Sequence, residues 1–358
     1  MKFEHLFQNQ KKGPEIRRTA ERAVASSDDV LESQGKGFAF PVPKEIRDLN
    51  PAETIDAGEG IEPISKEKLF QVTLESMRQA WELEIKPRLP GIRNTPPDSM
   101  KKGSDFFTEA DTSSESRIKG LFMESFGENN IRVFGEEADK YLGNLASRIG
   151  VRIDPVDGTE SMKFAKPDWG IMVGVYSGVP ENEEQVLGAV LFPERNVLMY
   201  QVKGVGVFIE DLELSETRKI EHVLPQDSLG NLIIQIWEHT KVAERGRTLA
   251  IRKKLDAQSA RIRSSASSCG DVLEALTTQG NRAFIIDGDF NQVDFIPYAF
   301  LETVGYKLYK WDGTLVHADD TNLPNQKLVV VPPGQAGKDI RQIIKDIYSR
   351  KERPKKRK

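Results

Sequence analysis

The sequence predicts an α/β protein, and two patterns along the chain indicate this fold class. Between residues 169 and 211, apolar stretches and turns alternate in the manner of antiparallel strands. From about residue 240, segments with helical periodicity alternate with short strand-like runs such as RAFIID. A chain of 358 residues is long enough for one large domain or two smaller ones with a sizeable core.

Local signals place the individual elements. A helix is predicted over residues 65–84, with Ser65 as its N-cap, and a loop is predicted after residue 87. A second helix is predicted to begin near Asp111 or Thr112, followed by the strands IRVFG and VRIDPVDGT. Later helices are predicted at about 243–258, 268–280 and 294–305, with Gly280 and Gly305 ending the last two, and YKLYKWDG is predicted as a final hairpin.

Composition excludes several classes of protein. The net charge of -4 does not suggest a general nucleic-acid binder, and no apolar run approaches the roughly 20 residues that span a bilayer. The amino terminus lacks the apolar segment of a secretory signal. Cys269 is the single cysteine and is predicted to be buried and inert. We therefore expect a cytoplasmic protein without membrane or nucleic-acid partners.

Charge and glycine content divide the chain into three parts. Residues 1–62 are predicted to be a partly ordered extension with a short helix near 14–32. Residues 63–345 are predicted to form the main domain, with a first half at 63–225 and a second at 226–345. Residues 346–358 are predicted to be a basic tail, solvated or in contact with a polyanion or a partner.

The most informative string is Asp154-Pro155-Val156-Asp157-Gly158-Thr159. Two aspartates at i and i+3 converge on one point only if the chain bends between them, and the proline and glycine favour that bend. Carboxylates forced together repel one another, and a cation between them relieves the repulsion. The backbone N–H groups of Gly158 and Thr159 suit an anionic ligand. The alternative is an Asp-rich capping turn.

Other carboxylates are less specific when read alone. Glu136 and Glu137 follow the strand IRVFG, where glutamates are usually solvated, but the two strand ends could face one crevice. Asp294 precedes a predicted helix and could simply cap it, as could Asp111, together with Thr108, in FFTEAD. The four histidines are scattered, so the candidate ligands are all oxygens. Such a set selects Mg²⁺ or Mn²⁺ and points to phosphoryl chemistry.

These motifs together resemble the inositol monophosphatase superfamily, the lithium-sensitive, magnesium-dependent phosphatases. The family's G-E-E stands at 135–137 and its D-P-[IVL]-D-G-T stands intact at 154–159. Its late W-D-x-A-A-G motif is similar to residues 293–298, with Val293 for tryptophan and Ile296 and Pro297 for the two alanines. Its R-x-x-G-S-A-A element is similar to residues 261–267.

The resemblance implies a layered αβαβα sandwich and a role for each matching residue. One metal would be held by Glu136, Asp154 and the carbonyl of Val156, and a second by Asp154, Asp157 and Asp294. The resemblance further implies that Thr159 and Asp111, with Glu136, activate the attacking water, and that Asp157, Gly158, Thr159 and Asp287 contact the substrate.

The activity implied by this resemblance is hydrolysis of a small phosphorylated polyol, sugar or nucleotide, with Mg²⁺ or Mn²⁺ as the cofactor. Related alternatives are a 3′(2′),5′-bisphosphate nucleotidase and a fructose-1,6-bisphosphatase. An alternative of another class is a catalytically weak homologue that binds or regulates. A homodimer is possible.

Overall fold

The computed structural model describes residues 54–58, 61–94, 109–137, 141–237, 245–258, 260–264, 267–288 and 290–349, all of which belong to one compact unit. The predicted helix near 14–32 and the last nine residues of the basic tail lie outside these ranges, as does Thr108. No helix within the described ranges is long and apolar enough to cross a membrane.

Two sheets dominate the fold. The strands of the first, in chain order, are β3 (Arg132–Gly135), β4 (Tyr141–Gly143), β5 (Ile149–Asp157), β6 (Gly170–Val179), β7 (Asn182–Phe192), β8 (Val197–Val202), β9 (Gly206–Asp211) and β10 (Glu216–Ile220). Their spatial order is β10-β9-β8-β7-β6-β5-β3-β4, and every neighbouring pair is antiparallel except β3 with β5. The antiparallel strands predicted from residue 169 onward are therefore confirmed.

The second sheet is mixed and uses the later part of the chain. Its strands are β11 (Ile233–Trp237), β12 (Arg261–Ser264), β13 (Arg282–Asp287), β14 (Lys307–Lys310), β15 (Leu315–Val316) and β16 (Lys327–Val331), in the order β12-β11-β13-β16-β14-β15. Two short strands, β1 (Thr54–Ile55) and β2 (Ile64–Ser65), pair separately. Strand β1 thus lies within residues 1–62, which were predicted to be an extension, and it pairs with a strand of the main domain.

Helices cover and separate the two sheets. They are α1 (Lys66–Gln79, continued by a π-helical turn at Ala80–Ile85), α2 (Leu89–Asn94), α3 (Glu109–Phe126), α4 (Thr159–Lys163), α5 (Arg245–Asp256), α6 (Ser268–Thr277), α7 (Tyr298–Thr303) and α8 (Gln335–Tyr348). Helices α1 and α3 pack on one face of the first sheet. Helices α6 and α7 share one core with both sheets, and α5 and α8 share another with the outer face of the second sheet. This order of layers confirms the αβαβα sandwich.

Several local predictions are confirmed and others are wrong. The Oγ of Ser65 accepts a hydrogen bond from the backbone N–H of Lys68 at 3.1 Å, as expected of an N-cap. The loop predicted after residue 87 contains α2, because a proline near the start of a helix, here Pro90, loses no intrahelical bond. The hairpin β14–β15 does not end the fold, since the buried strand β16 and α8 follow, and α8 extends to Tyr348 past the predicted start of the tail.

Candidate metal centre

A bulge in β5 brings the two aspartates of the central motif together. Asp154 pairs with Met172 and Asp157 pairs with Gly170. Strand β5 therefore advances by three residues where its partner β6 advances by two. One extra residue reverses the alternation of side chains, and positions i and i+3 then lie on the same face. Gly158 follows with φ +84°, and a Cβ there would lie 3.0 Å from the Cβ of Ser267, so glycine suits both the turn and the close contact.

The structure brings three of the predicted ligands together. One carboxylate oxygen each from Asp154, Asp157 and Asp294 lies within 4.8 Å of the other two. Asp154 and Asp157 are buried, with 2% and 7% exposure, whereas Asp294 is half-buried. Asp294 lies in a 3-10 turn (Val293–Phe295) before α7, where its Oδ2 accepts the backbone N–H of Asn291 at 2.6 Å. It therefore closes this turn and does not cap α7, whose N-cap is Pro297.

Glu136 joins this cluster through Asp154. Its backbone N–H donates to the carbonyl of Ile153, so the end of β3 lies beside β5, and its side chain is hydrogen-bonded to the Asp154 carboxyl. Burial, with smaller contributions from Asp157 and Asp111, raises the pKa of Glu136 to about 7. Burial and the charges of Glu136 and Asp157 raise the pKa of Asp154 well above its usual value. The site therefore concentrates more negative charge than a cation-free interior tolerates.

The hydroxyl of Thr159 lies between two acceptors. Its Oγ1 is 3.3 Å from Oδ1 of Asp111 and 3.0 Å from the carbonyl of Val156. Asp111 lies in the first turn of α3 and is 2% exposed, so the prediction that the helix begins at Asp111 or Thr112 is wrong: it begins by Glu109, and Asp111 faces the site. The predicted pair of Thr159 and Asp111 is thus in contact.

Asp287 occupies a different environment. It ends β13 and is 1% exposed; one carboxylate oxygen accepts the hydroxyl of Thr248 and the other forms an ion pair with Lys327. Both oxygens are therefore engaged by protein groups. Its predicted contact with the substrate stays a prediction.

Two groups that the sequence reasoning did not single out support the site. The start of α6 holds Asp157: the Oγ of Ser267 and the N–H of Cys269 each donate to Oδ2 at 2.8 Å, and the N–H of Ser268 donates to Oδ1 at 3.3 Å. The dipole at a helix start favours a carboxylate. Ser267, before an apolar run with Asp271 in its first turn, carried the sequence signal of an N-cap.

Glu115 is the second of these groups, and it stabilises the turn that follows β3 and carries Glu136. Its Oε2 accepts the N–H of Glu137 at 2.8 Å, and it pairs with Lys119. A Cβ on Gly135 would lie 2.2 Å from the Glu115 carboxyl carbon, so the glycine before Glu136 permits this contact. Asp111 and Glu115 are four residues apart and therefore lie on one face of α3. This spacing is the sequence pattern that could have indicated Glu115.

Cys269 is fully buried, as predicted. Burial, followed by the charge of Asp157, raises the pKa of its thiol well above the usual value. The thiolate is therefore disfavoured, which agrees with an inert side chain.

The comparisons with known proteins agree with this architecture. The model of the inositol monophosphatase family matches residues 66–348. The chain belongs to the inositol monophosphatase family. This family consists of phosphoric monoester hydrolases and is metal-dependent.

Individual relatives are distant. A protein of Aquifex aeolicus described as fructose-1,6-bisphosphatase/inositol-1-monophosphatase is 30% identical over 126 residues, which cover 34% of this chain and 44% of that protein. The chain thus matches less than half the length of this relative. Among solved structures, extragenic suppressor protein suhB of Bartonella henselae superposes with a TM-score of 0.61 at 15% identity. The superposition covers 78% of this chain and 97% of the suhB chain. The Thermotoga maritima IMPase has a TM-score of 0.58 at 17% identity, with 78% and 96% covered. These structures share the fold.

The raised pKa values predict a pH-dependent stability for the cation-free protein. An acid whose pKa is higher in the folded state stabilises the fold fully below its unfolded value and loses that contribution as the pH rises through the folded value. For Glu136 the contribution is lost between pH 4.5, the usual pKa of the side chain, and about pH 7, its pKa in the folded protein. We expect the unfolding temperature of chelator-treated protein to fall across that window. Glu136→Gln should flatten the decline, and an equal decline in that variant would contradict this assignment.

Removing the hydroxyl of Ser267 should weaken catalysis more than stability. Ser267→Ala removes one of the hydrogen bonds that orient Asp157, and the loss of such an outer contact at a metal site typically costs about 10- to 100-fold in metal affinity or activity. The measurements are phosphate release and the Mg²⁺ concentration for half-maximal activity. Ser113→Ala, on a partly exposed face of α3, is the matched control. Unchanged metal dependence in Ser267→Ala would contradict its positioning role.

Proposed function

We propose that this protein is a Mg²⁺-dependent phosphomonoesterase that hydrolyses a small phosphorylated polyol, sugar or nucleotide. The observation that supports this most strongly is the convergence of Asp154, Asp157 and Asp294 on one point, with Glu136 bonded to Asp154. The Thr159–Asp111 contact lies beside that point. A cluster of candidate metal ligands flanked by a hydroxyl and a buried carboxylate supports a hydrolytic role over a purely structural one.

The donor set fits a hard divalent cation. Every donor is an oxygen, and the carboxylates are crowded in a buried place where their charges raise each other's pKa. We infer that Glu136, Asp154 and the carbonyl of Val156 hold one ion, and that Asp154, Asp157 and Asp294 hold another. When bound, such ions neutralise charge on the phosphoryl oxygens and acidify water. Mn²⁺ satisfies the same donors.

The remaining residues orient the reactants. One hydroxyl proton cannot serve two acceptors at once, so Thr159 donates either to the Val156 carbonyl or to Asp111. If a cation engaged that carbonyl, Asp111 would be the remaining acceptor for the Thr159 hydroxyl, and the Thr159 oxygen would accept a hydrogen bond from a water molecule. Thr159 would then take a proton from that water and pass its own hydroxyl proton to Asp111. The N–H groups of Gly158 and Thr159, at the start of α4, are proposed to bind the phosphate.

The substrate proposal stays at the level of a class. The Aquifex aeolicus relative is named for both fructose-1,6-bisphosphate and inositol-1-phosphate, and one solved structural neighbour is SaIMPase-II with 2′AMP bound. The bisphosphate nucleotidase and bisphosphatase alternatives are therefore specific forms of the same proposal. The convergence of Asp154, Asp157 and Asp294, with Glu136 bonded to Asp154, argues against the catalytically weak alternative.

Phosphate release across a small panel tests the proposal. The panel is inositol-1-phosphate, fructose-1,6-bisphosphate, 2′-AMP and 3′,5′-ADP, each with Mg²⁺ and with a chelator in its place. We expect release from at least one compound, abolished by the chelator and restored by Mg²⁺ or Mn²⁺. Absence of release from every compound with either metal would favour the catalytically weak homologue.

A further inference from the structure

The hydroxyl of Tyr298 is buried and has no hydrogen-bond partner within the described ranges. Tyr298 is the first residue of α7 and is 0% exposed. Its ring packs against those of Phe284, Phe290 and Phe295, with centroids 5.8–6.1 Å away. A fourth phenylalanine would keep these ring contacts, whereas a buried hydroxyl without a partner destabilises the fold. Packing alone therefore does not account for the tyrosine.

This hydroxyl lies near the place where α6, α7 and the metal centre meet. Helix α6 contacts both α7 and the 3-10 turn that carries Asp294, and this turn contacts β5. Burial, followed by the charges of Asp271, Asp157 and Asp294, raises the pKa of Tyr298 well above its usual value. The phenol therefore keeps its proton and can donate it in a hydrogen bond to a carboxylate.

Among these three carboxylates, Asp271 is the acceptor that fits the hydroxyl best. Its charge acts on the phenol more strongly than the other two. Asp271 lies in the first turn of α6, is 8% exposed, and accepts a hydrogen bond at Oδ1 from the side-chain amide of Gln235 on β11. Asp157 fits less well, because one hydroxyl and two backbone N–H groups at the start of α6 already donate to it.

We propose that Tyr298 is a positioning residue of the metal centre: with divalent cations bound, its hydroxyl donates to Asp271 and clamps α7 to the start of α6. The inference rests on the proposed metal-dependent function. Asp157 is held by the start of α6, and Asp294 lies in the turn just before α7. Cations held by both aspartates draw these two segments together and bring the hydroxyl to its acceptor. The family's W-D-x-A-A-G motif has glycine at this position, so the clamp is a feature of this chain.

Calorimetric titration with Mg²⁺ tests the clamp through binding alone. Tyr298→Phe should bind Mg²⁺ about tenfold or more weakly than the wild type, since outer contacts at metal sites are typically worth about 10- to 100-fold. In chelator, the same variant should unfold at or above the wild-type temperature, because it loses only an unpaired hydroxyl. Tyr348→Phe, at a position that is 40% exposed, is the matched control and should bind as the wild type does.

The outcomes of this titration separate the inference from the proposed function. Wild-type affinity in Tyr298→Phe would overturn the clamp and leave the metal-dependent function intact. Absence of Mg²⁺ binding in the wild type would overturn both. A large loss of stability of Tyr298→Phe in chelator would show that the hydroxyl serves the fold rather than the metal centre, and would also overturn the clamp.

A double-mutant cycle tests whether Asp271 is the acceptor. In Asp271→Asn, the amide of Gln235 holds the remaining oxygen, so an NH₂ group, which cannot accept, replaces the second oxygen. This variant should also weaken Mg²⁺ binding. The double variant with Tyr298→Phe should bind no more weakly than Asp271→Asn alone, because both changes remove the same hydrogen bond. Losses that multiply in the double variant would refute the pairing.

Near-ultraviolet absorbance reports on the hydroxyl directly. A phenol that donates to a carboxylate absorbs at longer wavelength than one that donates to nothing. Mg²⁺ should therefore shift the tyrosine absorbance of the wild type and of Tyr348→Phe to longer wavelength, but not that of Tyr298→Phe. The same shift in Tyr298→Phe would show that another tyrosine responds to the metal, which would contradict the clamp.

Discussion

Replacing Asp154 by asparagine is expected to lower phosphate release by more than about 100-fold, because outer contacts of a metal site alone are worth 10- to 100-fold and Asp154 would be a direct ligand of both cations. The same change should raise the unfolding temperature of the cation-free protein. Asp154 is buried beside Glu136 and Asp157, and asparagine keeps the hydrogen bond from the N–H of Val156 while removing one source of charge repulsion. Lost activity combined with gained stability is the signature of a residue retained for function.

Steady-state phosphate release and thermal unfolding in chelator measure the two effects. Asp256→Asn, an exposed aspartate at the end of α5, is the control and should change neither. If Asp154→Asn retained activity within a few-fold of the wild type, Asp154 would not be a metal ligand. If its cation-free form were much less stable, the carboxylate would have a structural role instead.

Replacing Glu183 by glutamine should produce the largest loss of stability. Glu183 is buried and forms ion pairs with both Arg132 on β3 and Arg152 on β5, and these two side chains are no more than 2% exposed. Glutamine keeps the shape but removes the carboxylate charge that pairs with both buried guanidinium groups. Breaking a buried ion pair from one side costs roughly 3–5 kcal/mol, a large part of the stability of a typical domain.

Urea unfolding of Glu183→Gln and of Glu184→Gln compares the loss of a buried negative charge with the loss of an exposed one. Glu184 is the next residue on β7, and its side chain is 54% exposed in an ion pair with Lys203. Loss of an exposed pair costs at most about 1 kcal/mol. We therefore expect a clear difference between these neighbouring variants. Equal effects would mean that the buried arginines find other acceptors, such as the carbonyls of Ser147 and Gly178 that already bind Arg132.

Much of the first sheet could be predicted because its strands alternate and its turns are marked. The candidate metal motif could be predicted because a proline lies between its two aspartates and a glycine follows the second. Asp294 was placed by resemblance, and the structure explains how its altered motif still fits: a Cβ on Gly174 would lie 3.1 Å from Ile296, so the glycine leaves room for a residue larger than alanine.

Other features depend on tertiary contacts that no local pattern encodes. The bulge that aligns Asp154 with Asp157 is a property of pairing with β6, and the support of Asp157 by Ser267 joins positions 110 residues apart. The strand β16 was missed because a short apolar run before Pro332 has no periodicity of its own. Asp287 carries a carboxylate in the expected place along the sequence, but its partners Thr248 and Lys327 are visible only in the fold.

Calorimetric titration of metal-free protein with Mg²⁺ tests the central claim most directly, namely that these buried carboxylates assemble a divalent-cation site. Because the pKa values of Glu136 and Asp154 are raised in the absence of metal, binding near pH 7 should release protons, so the measured heat should vary with the ionisation enthalpy of the buffer. The account predicts saturable binding with proton release in the wild type, and its loss in Asp154→Asn. Absence of binding in the wild type, or unchanged binding in Asp154→Asn, would contradict it.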